Sequence, residues 1–264
     1  MLLAIDIGNT NITLGAYKNG ELLFVSRMYT ERHKTSDEFA VSLLNIFKLY
    51  DVCASDFSGV VMSCVVPEIE WSVSKAVKMI TGERPVLVGE KNFGNFEVEV
   101  IPVSAIGADL ICAAVAAKEK YPLPCIVADL GTATKIIVVD SEGKFVGCTI
   151  SPGVKISMDA LAERASLLPS VSFTTPKKAV GANTAECIQS GVVFGTAAML
   201  DGLIKRIMDE LSIKKASVIA TGGYSKGIIP CCETKIIYDE NLLLDGLFEI
   251  YKNSIAKKGK VHNG

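Results

Sequence analysis

Two aspartates, Asp6 and Asp129, each stand at the end of an apolar run and are followed by a glycine and a threonine. The first copy is Asp6-Ile7-Gly8-Asn9-Thr10-Asn11 and the second Asp129-Leu130-Gly131-Thr132-Ala133-Thr134. A carboxylate at the end of a buried strand is costly unless it is paired or holds a cation. A glycine two residues later lets backbone N–H groups approach a phosphate closely. Threonine hydroxyls, here Thr10, Thr132 and Thr134, add donors for phosphate oxygens. One copy alone has an equally good local explanation, an Asx-type turn in which the aspartate satisfies nearby N–H groups. Repetition favours phosphate or metal–nucleotide binding.

Weaker constellations follow the same theme. Gly107-Ala108-Asp109-Leu110 opens an apolar helix, where the positive end of the dipole favours an ionised Asp109. That aspartate is either a capping acid or a proton acceptor for a substrate hydroxyl. Ser151-Pro152-Gly153 closes the second unit, Asn183 or Thr184 caps a long helix after Gly181, and Thr221-Gly222-Gly223 follows a strand. There is no G-x-x-x-x-G-K-[ST] and no G-x-G-x-x-G after a strand. A P-loop is therefore excluded and a dinucleotide-binding Rossmann site disfavoured.

The elements that must position these residues recur in the same order. Each aspartate copy continues into a second apolar run, at 12–17 and 135–139, then a turn at 18–20 or 140–143 and a third run at 22–25 or 144–150. Beyond the first hairpin, the pattern predicts a helix over 35–50, starting at Thr35, and a strand over 59–65. A helix over 67–80, a strand over 85–88, a crossing segment over 91–100 and a helix over 105–120 follow. After a linker at 121–124 and the second hairpin come helices over 154–165, 184–211 and 242–251, strands over 216–221 and 235–238, and a polar tail over 257–264. The expected fold class is α/β, with two similar domains of mixed sheets facing a central cleft and spanning residues 1–120 and 121–264.

Composition narrows the function. The 264 residues carry a net charge of −2, which disfavours a polyanion partner and a ribonuclease-H-type nuclease. The longest apolar run, 126–139, is interrupted by Asp129 and Lys135, and no basic segment precedes the first strand, so no membrane partner and a cytoplasmic location are expected. Eight scattered cysteines form no C-x-x-C pair and suit buried thiols in a reducing compartment. The only histidines, His33 and His262, lie in polar segments and suit neither a Ser-His-Asp nor a Cys-His mechanism.

Taken in order, D-x-G-N-T at 6–10, G-x-D at 107–109, D-x-G-T-A-T at 129–134, S-P-G at 151–153, G-x-N-T at 181–184 and T-G-G at 221–223 strongly resemble type III pantothenate kinase, over residues 1 to about 251. The resemblance implies two ribonuclease-H-like domains of the actin, heat-shock ATPase and sugar kinase superfamily, and a homodimer. It implies ATP-dependent phosphorylation of pantothenate, the first step of coenzyme A synthesis, with magnesium and a monovalent cation, K+ or NH4+. By the same resemblance Asp6, Ile7, Gly8, Asn9, Thr10, Asn11, Ile12 and Thr13 form the first phosphate hairpin, with Asp6 toward magnesium. Thr132 contacts ATP, Asp129 ligates the monovalent cation and Asp109 is the proton acceptor. Gly107, Ala108, Asp109, Leu110 and Thr184 line the pantothenate pocket.

One residue departs from the family pattern. Leu110 stands where the family carries the arginine expected to meet the pantothenate carboxylate. Losing a charge-assisted contact costs about 1.5–3 kcal/mol. Lys135 is the cation that would replace it. The alternative function is a divergent paralogue that binds nucleotide and is regulatory or acts on another small hydroxylated substrate.

Overall fold

The computed structural model describes residues 1–89, 92–93, 96–99 and 106–261, with side chains through residue 255. Strand β1 (Leu2–Ile7) is apolar except for Asp6, as suits a central strand covered on both faces. It pairs antiparallel with β2 (Asn11–Lys18), which pairs antiparallel with β3 (Glu21–Tyr29). Asn19 and Gly20, both at positive φ, make the tight turn between β2 and β3. Helix α1 (Ser36–Leu49) starts in a capping box, with the Thr35 side chain accepting from the Glu38 N–H and the Glu38 carboxylate accepting from the Thr35 N–H. Strand β4 (Gly59–Cys64) then lies parallel to β1. Helix α2 (Pro67–Thr81) has proline in its first turn and ends on Gly82 in the left-handed region, and β5 (Val86–Leu87) pairs parallel with β4.

Alternation along β1 separates a structural face from a chemical one. Leu3, Ile5 and Ile7 point into a core with Phe39, Phe47 and Val73 from α1 and α2. Asp6 points the other way, beside Ser63 in the β1–β4 register. That face is approached by α3 (Ala108–Lys120) and by the C-terminal helix α7 (Leu242–Val261), which packs on β1, β2 and β4. Helices α3 and α7 come together where Gly246 leaves no room for a Cβ, which would lie 1.9 Å from the Cys112 carbonyl oxygen.

The second sheet repeats the first. Strands β6 (Cys125–Leu130), β7 (Ala133–Val139) and β8 (Phe145–Pro152) form the antiparallel meander, and β9 (Ser217–Thr221) and β10 (Ile237–Tyr238) add in parallel beyond β6. The order β3-β2-β1-β4-β5 is matched strand for strand by β8-β7-β6-β9-β10. Helices α4 (Val154–Arg164) and α5 (Thr184–Glu210) close a core on the face bearing Ile126, Ala128 and Leu130, and the short α6 (Ser225–Ile228) follows β9.

The two compact units are Met1–Ala116 with Leu242–Gly264, and Ala117–Asn241. The last helix thus belongs to the first unit, whereas the sequence placed 121–264 in the second domain. Helix α7 also continues to Val261, through most of the stretch expected as a tail. Its Leu242, Leu244, Leu247 and Ile250 are buried, all within the expected span 242–251, whereas the polar stretch beyond carries no such apolar spacing. Parts of the expected crossing segment 91–100, and residues 262–264, lie outside the described residues. Helix α5 is an exception to the expected lack of long apolar segments: by length and composition it could cross a membrane. Its Ile188, Val193, Leu200 and Ile204 pack in the core of the second unit.

Candidate active site

In the first unit the β1–β2 connection is tied down by its own backbone and by the end of β3. The Gly8 N–H donates to the Asn11 carbonyl at 3.0 Å, Thr30 Oγ1 donates to the Gly8 carbonyl at 2.6 Å, and the Thr30 N–H donates to the Thr10 carbonyl at 3.0 Å. Gly8 therefore spends its own amide inside the turn. Asn9, Thr10 and Asn11 are exposed, while Ile7 and Ile12 are buried anchors and Thr13 sits opposite Asp6. Arg32 brings a cation to this loop, its guanidinium 3.4 Å from Asn9 Oδ1 and 3.3 Å from Glu68 Oε1.

Asp6 is half-buried, and Ser63 Oγ donates to its Oδ1 at 2.5 Å. Ser63 was missed in the sequence because a single serine in the apolar run 59–65 gives no periodic signal. Its register beside Asp6 is the information that was lacking. Asp109 lies in the first turn of α3, where its Oδ1 accepts the Leu110 N–H at 2.8 Å. Gly107 passes so close that an added Cβ would lie 2.5 Å from the same Oδ1. Ala108 is buried beneath it, and Leu110 is only 5% exposed. The leucine at the departure position thus packs into the protein.

Cys112, one turn further along α3, connects the two carboxylates. It is fully buried, and burial first, then the negative charges of Asp6 and Asp109, push its thiol well above the usual range. The same charges cannot act on it unless both carboxylates are near. Asp6, Ser63, Asp109 and Cys112 therefore form one constellation on the chemical face of the first sheet. A half-buried carboxylate held by a serine suits a hard cation that arrives with its own waters and phosphate oxygens. Among the described residues no cluster of three or more histidine, cysteine or acidic side chains forms a metal cage.

The second unit holds the second hairpin through glycines. A Cβ on Gly153 would fall 2.2 Å from the Thr132 carbonyl oxygen and 2.7 Å from that of Gly131. Gly222, at φ +95°, would place one 2.5 Å from the Leu130 carbonyl carbon. The S-P-G and T-G-G segments thus press their backbones onto the Leu130-Gly131-Thr132 turn, which explains both motifs physically. Thr132 is exposed at the tip. Thr134 is not: its hydroxyl, read from the sequence as a phosphate donor, turns inward and has no hydrogen-bond partner. It lies on the face of β7 that packs against α4 and α5, as strand alternation requires.

Asp129 is 8% exposed and does not present a bare carboxylate. Lys135, directly opposite across β6 and β7, places Nζ 3.0 Å from Asp129 Oδ2. Lys135 is thus engaged with Asp129, rather than waiting to replace the arginine absent at Leu110. The G-A-N-T segment caps α5: Asn183 Oδ1 accepts from the Glu186 N–H, and the Glu186 carboxylate accepts from the Ala182 N–H. Thr184, in the first turn, is exposed at the rim of a cavity of about 520 Å³ with Pro152, Leu161, Ile188 and Met199.

Comparison with known proteins follows the same outline. A sequence model of type III pantothenate kinase matches residues 2–206. The chain is 37% identical over 255 residues to the type III pantothenate kinase of Halalkalibacterium halodurans, covering 97% of this chain and 100% of that one. It is also 37% identical over 254 residues to that of Exiguobacterium sibiricum, covering 96% and 100%. Among solved structures it is similar to the activator of the 2-hydroxyisocaproyl-CoA dehydratase from Clostridium difficile with bound ADPNP. There the TM-score is 0.59 at 14% identity, over 98% of this chain and 97% of that one.

Proposed function

Because this chain belongs to the type III pantothenate kinase family, we propose that it transfers the γ-phosphoryl group of ATP to pantothenate, giving 4'-phosphopantothenate in coenzyme A biosynthesis. The observation that carries the assignment within the site is the placement of Asp109. Its carboxylate is fixed at the start of α3 by the Leu110 amide and the bare face of Gly107, close enough to Asp6 for both to bear on Cys112.

The roles follow from what each group can do. Asp109 accepts the proton of the pantothenate hydroxyl as the oxygen attacks phosphorus. Exposed Asn9, Thr10 and Asn11 on one hairpin, and Thr132 on the other, meet phosphate oxygens, with Arg32 adding positive charge beside Asn9. Magnesium, when bound with the nucleotide, neutralises phosphate charge. Asp6, steadied by Ser63, is the oxygen donor that fits it. Little covalent work falls to the protein in phosphoryl transfer, so fixed backbone and placed charge make up its contribution. Gly107, Ala108 and Leu110 with Thr184 are assigned to the pantothenate side, and a cytoplasmic homodimer is the proposed working form.

The assay is pantothenate-dependent ADP formation by the folded full-length protein with magnesium and ATP. Turnover is expected. Its absence at saturating pantothenate, with nucleotide binding intact, would favour the alternative of a nucleotide-binding paralogue, which Leu110 brings to mind.

A further inference from the structure

The family resemblance implies a monovalent cation at Asp129, and the Asp129–Lys135 pair bears on whether one fits there. The two side chains face each other across adjacent antiparallel strands, 17% exposed for the lysine and 11% for the aspartate, at 3.0 Å. Both lie on the sheet face opposite the core formed with α4 and α5. This is not a screened surface contact. Burial makes each charge costly without the other, so the pair is held together far more firmly than an exposed one.

A lysine head group is an alkylated ammonium ion. It carries the single positive charge of potassium or ammonium and three N–H donors in a compact head. Because its stem is anchored in β7, its local concentration at Asp129 is set by the strand pairing and not by the surrounding solution. A free monovalent cation at Asp129 Oδ2 would have to displace that ammonium and leave a second positive charge beside it. The residues around this carboxylate therefore do not fit a free cation.

We propose that Lys135 supplies the positive charge at Asp129 from within the chain, so that potassium and ammonium are neither bound at this carboxylate nor needed for activity. The proposal rests on the kinase reading for its consequence in catalysis. Its structural half, the lack of a cation site at Asp129, stands independently. Lys135 is a positioning residue: it sets the charge and orientation of Asp129 beneath the Gly131-Thr132 turn.

The test uses the full-length protein in potassium- and ammonium-free buffer with tetramethylammonium as the counter-ion. Thallium-205 NMR and thermal melting read cation binding without turnover, and ATP-dependent phosphorylation of pantothenate reads the function. For the wild type, no saturable thallium signal is expected, and kcat/KM should change by less than about twofold when potassium is added. Lys135→Thr should lose about tenfold or more in kcat/KM and recover with potassium or ammonium, as each tenfold corresponds to about 1.4 kcal/mol. Lys135→Arg, which keeps the charge, should remain indifferent to potassium. A purely structural lysine would give a damaged Lys135→Thr that no cation rescues, and that result overturns the proposal. So does saturable thallium binding to the wild type that Asp129→Asn removes, or wild-type activity that rises about tenfold with potassium. Should Lys135→Thr fail to fold in any salt, the wild-type thallium and melting data decide. A protein without turnover under any cation defeats the kinase reading alone, because the binding measurements remain.

Discussion

The proposed role of the Asp109 carboxylate as proton acceptor makes separable predictions, set by its surroundings. Asp109→Asn keeps the shape and the Leu110 amide contact while removing the proposed proton acceptor. A loss of about 10²–10⁴ in kcat, with an unchanged circular dichroism spectrum, is expected. Gly107→Ala places a methyl 2.5 Å from Oδ1 and must move the carboxylate. The expected result is a loss of about a hundredfold in kcat, with little change in the KM for ATP. Cys112 reports on the same place through pH. Its folded pKa is raised, so its stability contribution is complete below the unfolded value of about 8.5 and is lost as pH rises through the folded one. Urea midpoints should fall above that pH, and fall less steeply in Cys112→Ala. The places of Asp6 and Asp129 near strand ends and of Asp109 at a helix start were legible from the sequence, because each carboxylate is framed by glycine. The Ser63–Asp6 contact and the pairing of Lys135 with Asp129 were not: both depend on which strand lies alongside, and register is a property of the paired sheet.

Among the elements, the two glycine segments of the second unit carry a distinct expectation. Gly222 combines a left-handed backbone with contact against Leu130, so Gly222→Ala meets strain and overlap together. It should lower the unfolding free energy by about 1–3 kcal/mol in urea titration, with the Thr132 turn displaced. Leu110 in α3 makes the opposite kind of case. The family pattern suggests Leu110→Arg as a gain, but the site is 5% exposed. A loss of about 3 kcal/mol in stability is expected from the buried charge, accompanied by a lower pantothenate KM if the guanidinium reaches the substrate carboxylate. Helices α1 and α2 could be placed from the sequence because their capping box, starting proline and terminal Gly82 are local signals. The inward turn of Thr134 was not visible, since its neighbours Ala133 and Lys135 give no clean alternation; the core contacts of α4 and α5 decide it.

Across the whole molecule, the duplicated strand order explains why a six-residue signal could be recognised twice in halves otherwise dissimilar in sequence. What the duplication conceals is the return of α7 to the first unit. Leu242, Leu244, Leu247 and Ile250 are all at most 2% exposed, and burying four such side chains is worth about 6–12 kcal/mol. That is comparable to the entire stability of a domain, about 5–15 kcal/mol. A chain truncated after Asn241 should therefore lose the protease resistance of residues 1–116. The discontinuity also sets a timetable for biosynthesis. The second unit is continuous in sequence and needs only its own residues to fold, but the first must wait for the final helix to emerge. The half that begins the polypeptide, with Asp6 and Asp109, is therefore the last whose parts are all present, although its first strand is the first to be made.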